Sequence, residues 1–387
     1  MTIFDVMNLK LYSLFYTLFF GLVQMANAQV QLPADTLATT ETRWLLSSMQ
    51  RLVGAGVMFG HHDDTAYGVN WRLKDSSDVK NVTGSYPAIY GWDLSGIELD
   101  STYDINGIPF ITQSRLVREA YERGGINTFC WHMNNPVNGK TSWDNSGLTI
   151  KELLPGGTHH QVYLNILDKA AKYLSTLRGA DGEPIPILFR PFHELTGDWF
   201  WWGFRTSTPE EFKDIWRLTV NYLRNTKKLH NLLMVYSTAD YADEFELLER
   251  YPGDEYTDFM GFDRYCFDSV KVYKENMQQQ LEILQRVANE HHKLSCIAET
   301  GSERVPDPNF WTETLAPLLA QFNTLSYVFI WRNNGPEHFY TPYPGHASAE
   351  NFKQFFQKSN VMFQNRLTPL AIYGPRHLLR YNRTASP

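Results

Sequence analysis

The sequence is poor in cysteine and has only a modest excess of negative charge. Its 387 residues include three cysteines and carry a formal net charge of −7. Cys130, Cys266 and Cys296 all lie in or beside apolar, strand-like runs, so we expect free buried thiols; pairing of two of them is the alternative in an exported protein. The acidic balance supports neither a nucleic acid nor a polyanionic sugar as partner.

The sequence also has no phosphate-binding glycine loop and no serine nucleophile elbow. An apolar stretch at residues 11–23 is too short to favour a membrane span. It follows Lys10 and precedes the small-residue motif Ala-Asn-Ala, which is the pattern of an export signal. We expect a signal peptide over residues 1–28, a mature chain that begins near Gln29, and a periplasmic or secreted protein.

Aromatic residues, by contrast, are abundant: they make up 14% of the chain, with 11 Trp and 21 Tyr. Residues 190–203, RPFHELTGDWFWWG, place Glu194 after a strand-like run and among tryptophans. Aromatic faces stack on sugar C–H surfaces, and apolar surroundings raise a carboxyl pKa until the group can act as an acid. For Trp201 and Trp202, a core position and a sugar-binding position are both open.

A second apolar run also ends in a glutamate. Residues 295–301, SCIAETG, place Glu299 before a closing glycine. Glycosidases that retain configuration need two carboxyl groups about 5–5.5 Å apart, one as acid/base and one as nucleophile. Two strands that end at the same face of one sheet can hold such a pair, so we interpret Glu194 and Glu299 as the catalytic carboxyls.

Short apolar strands alternate with amphipathic helices along the chain. The strand candidates are residues 57–61, 88–93, 127–132, 187–193, 232–237, 259–265, 296–299 and 327–331. Helical spacing follows at residues 114–123, 160–177, 209–227, 273–291 and 311–321. Eight β-then-α units in series predict an α/β fold, a single (β/α)₈ TIM barrel over residues 40–380.

The active site of such a barrel lies at the C-terminal ends of its strands. The candidates that fall at the ends of separate predicted strands are His132, Glu194, Tyr265, Glu299 and Trp331. Their placement supports a common catalytic face.

Five ordered segments resemble glycoside hydrolase family 26, whose members are mostly β-mannanases. They are residues 129–136 (FCWHMNNP), 190–203, 261–265 (GFDRY), 298–301 (AETG) and 330–333 (IWRN). The resemblance implies the same barrel and a retaining β-mannanase that cleaves β-1,4 bonds in mannan, glucomannan or galactomannan. A β-1,3/1,4-glucanase or β-1,3-xylanase of the same family stays open, and so does a non-catalytic carbohydrate-binding barrel, although a pure binder has no need for two carboxylates.

The resemblance also implies residue roles. Glu299 is similar to the family's nucleophile and Glu194 to its acid/base. His193 and Tyr265 resemble residues that hydrogen-bond the nucleophile. Arg190 has the same strand parity as Glu194, so we expect it inside the barrel, where it either orients carboxylates or forms a structural ion pair.

The remaining implied contacts concern the sugar itself. Trp331 resembles the hydrophobic floor of the subsite that holds the reacting sugar, and His132 resembles a contact to a sugar hydroxyl. Trp199 is similar to the tryptophan beside the acid/base. The expected partner is therefore a β-mannan polysaccharide or a manno-oligosaccharide.

We expect neither a cofactor nor a catalytic metal. Residues 61–64, HHDD, have ligand types suited to zinc or manganese. Adjacent residues on a strand point to opposite faces, so these four side chains cannot all converge on one ion. His61 ends the first predicted strand and is a candidate substrate contact.

Two βα connections are long, at residues 94–113 and 134–158, where about 2–6 residues are usual. We hypothesise that they wall off part of the cleft and favour short products such as mannobiose; an open cleft with ordinary internal cleavage is the alternative. Their polar and aromatic candidates for sugar contact are Tyr103, Phe110, Lys140 and Trp143.

Overall fold

The computed structural model describes residues 31–375 and residue 377. The expected signal peptide, residues 1–28, lies outside the described residues. Within the described part of the chain, no helix combines the length and the apolar character needed to cross a membrane. The described residues from Leu32 onward form one compact unit.

Eight parallel strands pair in chain order, and the ring closes because the first strand pairs with both the second and the eighth. A short ninth strand, β9 (Val361–Met362), pairs with the start of the first. The barrel strands are β1 (Val57–His62), β2 (Ile89–Asp93), β3 (Ile126–Cys130), β4 (Ile187–Arg190), β5 (Leu232–Thr238), β6 (Phe259–Tyr265), β7 (Leu294–Gly301) and β8 (Tyr327–Ile330). The predicted (β/α)₈ barrel is confirmed.

Helices surround the barrel. They are α1 (Thr40–Leu52), α2 (Asp78–Thr83), α3 (Phe110–Glu122), α4 (Thr149–Leu153), α5 (His160–Leu174), α6 (Pro209–Asn221), α7 (Glu244–Leu248), α8 (Val270–Glu290), α9 (Ala316–Gln321), α10 (Ala349–Phe356) and α11 (Gln364–Leu367). Single turns of π-helix extend α6 (Tyr222–Thr226) and precede α9 (Phe310–Leu315). Short 3₁₀ turns lie at Ile97–Leu99, Asp254–Tyr256 and Thr368–Leu370.

The start of α6 illustrates how the sequence determines a boundary. Thr208 accepts a hydrogen bond from the backbone N–H of Glu211, whose carboxylate accepts one from the N–H of Thr208 in return. Pro209 occupies the first helical position, where no N–H is needed. The apolar face of α6, which includes Phe212 and Trp216, is buried against the barrel.

Strand β7 contains one residue more than its neighbours at the level of the catalytic face. Phe262 of β6 lies opposite Ile297, but the next residue, Asp263, lies opposite Glu299. The pairing of β7 with β8 skips a residue at the same level. Such a bulge changes the direction of the side chains that follow it, and here it places Glu299 opposite Asp263.

The segment before α1 is tied to the opposite, N-terminal face of the barrel. The N–H of Ala34 donates to Oδ1 of Asp258 at 2.7 Å, and Nδ1 of His230 lies 2.8 Å from Oδ2 of Asp35. The N–H of Thr39 donates to the carbonyl of His230 at 2.9 Å. Residues ahead of the predicted start at residue 40 therefore pack on the barrel as well.

All three cysteines are free. Cys130 and Cys296 are buried, and Cys266 is half-buried. The prediction of free thiols is confirmed. The expected burial is wrong for Cys266 alone, because this residue follows the end of β6 at the rim of the barrel.

Candidate active site

The predicted site residues meet at the C-terminal mouth of the barrel. Tyr265 is the last residue of β6, and Glu299 lies inside β7. Trp331 follows β8 directly, and His132 follows β3 by two residues. Glu194 lies beyond β4, which ends at Arg190 rather than at His193 as predicted, so the acid is held by a turn and not by the strand itself.

Three carboxyl groups converge at this mouth. One oxygen each of Glu194, Asp263 and Glu299 lies within 4.8 Å of the other two. Glu194 is half-buried, whereas Asp263 and Glu299 are buried. One oxygen of Glu194 lies within 4.8 Å of one oxygen of Glu299, which is compatible with the roughly 5–5.5 Å between the carboxyl groups of retaining glycosidases.

Both oxygens of Glu299 receive hydrogen bonds. Arg190 donates from Nη2 to Oε1, and the hydroxyl of Tyr265 donates to Oε2 at 2.6 Å. The same guanidinium donates from Nη1 to Oδ2 of Asp263 at 2.5 Å, and Ser237 donates to Oδ1 of Asp263 at 2.6 Å. Arg190 therefore orients two carboxylates at once. This is one of the two roles that its position on the predicted strand left open.

The pKa of Glu194 is raised well above its ordinary value. Burial is the main cause, and the negative charges of Asp263 and Glu299 add to it. Trp199 opposes the shift by donating from Nε1 to Oε2 of Glu194 at 2.6 Å. A raised pKa favours the acid form of this carboxyl, which acid catalysis needs.

The backbone around Glu194 is unusual. Phe192 and Glu194 both have φ of 53°, in the left-handed region that disfavours residues with a side chain. Nε1 of Trp202 donates to the carbonyl of His193 at 2.8 Å, and the N–H of Gly197 donates to the carbonyl of Glu194 at 2.8 Å. These bonds hold the strained turn in place.

Trp201 and Trp202 belong to the core. Both are completely buried, and Nε1 of Trp201 donates to the carbonyl of Met133 at 2.8 Å. Their function is to support the turns that carry His132 and Glu194. Trp199, which is 40% exposed, is the tryptophan of this segment that faces the cleft.

His193 has a different partner from the one the resemblance implies. Its Nε2 lies 3.2 Å from Nε2 of His132, and among the described residues the donors to Glu299 are Arg190 and Tyr265. The residues on either side of His193 have a left-handed backbone, and its imidazole faces His132, which follows β3. The expected hydrogen bond from His193 to the nucleophile is therefore not found.

Aromatic rings border the space beside the carboxyls. Trp331 is half-buried and stacks on the buried ring of His62, with centroids 4.3 Å apart and an interplanar angle of 29°. His132 lies 6.1 Å from Trp331 and stacks on Trp143, whose centroid is 5.4 Å away. Trp143, from the long connection after β3, is 50% exposed and so is open to a ligand.

The connection after β2 reaches across this end of the cleft through Asn106. The Asn106 amide donates from Nδ2 to Oδ2 of Asp63 at 2.8 Å, and its Oδ1 accepts from Nη1 of Arg332. Tyr67 donates to the same carboxylate oxygen of Asp63 at 2.5 Å. Segments that follow β1, β2 and β8 are thereby joined into one wall.

His61 makes other contacts than the expected one with substrate. It is buried, with Nδ1 2.8 Å from Oδ1 of Asp64 and Nε2 3.2 Å from the hydroxyl of Thr341. His62 approaches Asp63 instead, at 3.4 Å. The four residues form two separate pairs, and both aspartates follow the end of β1.

Within the described residues, two groups of side chains have the spacing of metal ligands. They are Glu194, Asp263 and Glu299, and Asp93, Cys130 and His132. In the first group Arg190 already binds two of the three carboxylates, and in the second His132 already binds Asp93. Internal hydrogen bonds thus account for both clusters.

Asp263 is the main residue that the sequence interpretation missed. Burial raises its pKa to about 7, Arg190 opposes that shift, and the charge of Glu299 adds to it. Asp263 has the strand parity of Tyr265, two residues later, so parity was the signal that could have placed it inside the barrel. Asp93 ends the second predicted strand, so its position at a strand end was a signal of the same kind. Asn106 lies in a long connection and gave no such signal.

Comparison with known proteins is consistent with this geometry. The profile of glycosyl hydrolase family 26 matches residues 34–357. A mannan endo-1,4-beta-mannosidase of Bifidobacterium adolescentis is 30% identical over 357 residues, which is 86% of this chain and 35% of that protein. The chain therefore spans about a third of that relative. A mannan endo-1,4-beta-mannosidase of Bacillus subtilis is 29% identical over 276 residues, 66% of this chain and 72% of that protein.

Solved structures agree over nearly the whole described barrel. A GH26 beta-mannanase from Bacteroides ovatus superposes with a TM-score of 0.84 at 38% identity, covering 88% of this chain and 98% of that one. The catalytic domain of an endo-beta-1,4-mannanase from Bacillus sp. JAMB-750 gives a TM-score of 0.82 at 30% identity, with 89% and 96% coverage.

Proposed function

Because this chain belongs to glycoside hydrolase family 26, we propose that it is a retaining β-mannanase that hydrolyses β-1,4 bonds in mannan, glucomannan or galactomannan. The observation that carries the proposal is the approach of Glu194 and Glu299 to within 4.8 Å at the mouth of the barrel. The relatives described above, which act on mannan by name, support the choice of substrate.

The first step forms a covalent intermediate. An oxygen of Glu299 attacks the anomeric carbon while the bond from that carbon to the leaving oxygen breaks. Glu194 gives its proton to the leaving oxygen, so the departing chain leaves as an alcohol. Arg190 and Tyr265 hold Glu299 on line for the attack, which limits the reorganisation that the step requires.

The second step releases the sugar. Glu194, now ionised, takes a proton from a water molecule, whose oxygen attacks the anomeric carbon. The bond to Glu299 breaks, and both carboxyl groups return to their starting states. Two inversions leave the product with the β configuration it had in the polymer.

Hydrolysis of locust-bean gum tests the activity directly. Release of reducing ends is expected, and the first sugar product seen by proton NMR should be the β anomer. An initial α anomer would contradict double displacement. Barley β-glucan and β-1,3-xylan, tested side by side, separate the related activities, and binding without hydrolysis would indicate a carbohydrate-binding barrel.

We also propose that the protein is exported and that its cleft favours mannobiose. The pattern of residues 1–28 supports export, and N-terminal sequencing of the protein from the periplasm or medium should begin near Gln29. The wall formed by Asn106, Asp63 and Arg332 supports a cleft that is closed at one end.

A further inference from the structure

Asp93, the last residue of β2, is completely buried directly behind His132. Its Oδ1 accepts from the backbone N–H of Ser95 at 2.7 Å and from that of His132 at 3.2 Å. Its Oδ2 lies 2.5 Å from Nδ1 of His132 and accepts from Sγ of Cys130 at 3.4 Å. The two backbone N–H groups and the thiol each present a hydrogen, so the carboxyl accepts from all three.

Asp93 is ionised over the whole working range of pH. Burial alone would raise its pKa, but the charge and the hydrogen bond of His132, with the bond from Ser95, hold the pKa at about 2. A carboxylate has no hydrogen to donate, so the nitrogen of His132 that faces it must carry one. In a neutral imidazole the other nitrogen, Nε2, is then without a hydrogen.

The second histidine is consistent with this tautomer. Nε2 of His193 lies 3.2 Å from Nε2 of His132, and a hydrogen bond between them needs one hydrogen, which His193 supplies. Burial, with the nearby His132 and Arg190, lowers the pKa of His193 well below its ordinary value, so His193 is neutral. Its Nδ1 is then a bare nitrogen, buried without a hydrogen-bond partner among the described residues.

We propose that Asp93 is a positioning residue: it fixes the tautomer of His132, so that the unprotonated Nε2 of His132 accepts the Nε2–H of His193 and the two rings hold each other in place beside the reacting sugar. The proposal rests on the proposed function, because the reacting sugar is the one that Trp331 would bind. The ring centroids of Trp331 and His132 lie 6.1 Å apart. Stacking on Trp143 fixes the plane of the same ring. Asp93 acts through His132 and does not touch the sugar.

Asp93→Asn tests the proposal with almost no change of shape. The amide oxygen can still accept from Ser95, but the NH₂ group now faces Nδ1 of His132 and favours the opposite tautomer. The hydrogen on Nε2 of His132 would then face the Nε2–H of His193, and the hydrogen bond between the two rings would be lost. An exchange of this kind behind the histidine of a serine protease lowers kcat by about 10⁴. His132 moves no proton in the reaction proposed here, so we expect a smaller loss of about 10- to 100-fold in kcat.

The experiment compares Asp93→Asn, His132→Ala and the double variant on mannan, with thermal unfolding of each. We expect Asp93→Asn to keep the wild-type Tm within a few degrees, and the double variant to be no slower than His132→Ala. Asp78→Asn is the matched control: Asp78 is another buried acceptor, bonded to Val69, Trp71 and Asn333. Asp78→Asn should lower Tm and leave kcat within about twofold of the wild-type value.

Nitrogen-15 NMR of the histidine side chains reads the tautomer independently of activity. His132 should carry its hydrogen on Nδ1 in the wild type and on Nε2 in Asp93→Asn. A wild-type hydrogen on Nε2, an unchanged kcat in Asp93→Asn, or losses that multiply in the double variant would each overturn the proposal. If the wild type fails to hydrolyse mannan, the proposed function fails, while the NMR result still decides the tautomer.

Discussion

At the scale of single residues, the chemistry depends on one guanidinium shared by two carboxylates. Arg190 is buried and bonds Asp263 and Glu299, and among the described residues no cation pairs directly with Glu194. Burial raises the pKa of Glu194, and the charges of Asp263 and Glu299 add to the shift. Burying three carboxyls beside one shared guanidinium costs stability, and the same arrangement favours the acid form of Glu194.

The catalytic pair predicts two different losses. Glu299→Ala should abolish hydrolysis of every substrate, because no other group can form the covalent intermediate. Glu194→Ala should slow mannan hydrolysis by about 10²–10⁴ but recover on aryl mannosides whose leaving groups need no proton. Steady-state kinetics on both substrates measure the difference. Glu303→Ala, at an exposed carboxyl on the same rim, is the control, and substantial activity in Glu299→Ala would refute the assignment.

The alkaline limb of the pH profile should follow Glu194. The acid must hold its proton, so kcat/KM falls as the pH rises through the raised pKa of Glu194. The charge of Asp263 contributes to that shift, so Asp263→Asn should move the limb to lower pH, whatever it does to the maximal rate. Glu303→Ala, which removes an exposed carboxyl on the same rim, should leave the limb in place. A limb that stays fixed in Asp263→Asn would show that Asp263 does not influence the acid.

Trp331 should matter for catalysis far more than for stability. Its ring is half-buried and rests on His62, so Trp331→Ala removes a sugar-binding surface while the barrel below remains packed. We expect a loss of at least about 10²-fold in kcat/KM with little change in Tm, measured by kinetics and thermal unfolding. Trp311→Ala, at a completely buried tryptophan, should show the reverse. A large fall in Tm with normal kinetics would place Trp331 in the core.

The carboxyl pair could be read from the sequence, but its supporting contacts could not. Glu194 and Glu299 each follow an apolar run, and that pattern is local. The contact of His193 with His132 depends on two left-handed residues that no local preference indicates. Asp93 reaches His132 across 39 positions of the chain, and only the closed barrel brings them together.

At the scale of elements, the sequence predicts where the strands lie better than it predicts where they begin and end. β7 is longer than predicted, Leu294–Gly301 against residues 296–299, and it contains the bulge. Fully buried strands leave a continuous apolar signal, so their positions are predictable. A bulge depends on the fit between neighbouring strands, and a single sequence does not reveal it.

The wall after β2 predicts the mode of action. Asn106 joins its loop to Asp63 and Arg332, so Asn106→Ala should open that end of the cleft. Relative to wild type, viscosity of a mannan solution should fall faster per reducing end released, and products longer than mannobiose should increase. Ile105→Ala, at the neighbouring partly exposed residue, is the control. If the wild type already lowers viscosity as an open-cleft enzyme does, and Asn106→Ala behaves in the same way, the wall does not determine the mode of action.

At the scale of the whole molecule, the segment that precedes α1 contributes to the stability of the barrel. A chain that starts at Thr40 loses the bonds of Ala34 to Asp258 and of Asp35 to His230, and leaves a buried carboxyl without one of its donors. We expect its free energy of unfolding to fall by about 2–3 kcal/mol relative to a chain that starts at Gln31. Denaturant unfolding measures the difference, and equal stability would show that the segment is dispensable.

At the left-handed turn of Phe192 and Glu194, thermal stability and catalytic activity favour different residues. Glycine adopts that backbone readily, so Glu194→Gly should be more stable than Glu194→Ala by about 1 kcal/mol, although both lack the acid. A laboratory selection for thermal survival alone would therefore favour glycine at this position and discard the enzyme. Any programme of stabilisation has to screen for hydrolysis at every round, because here the strained residue and the proton donor are the same.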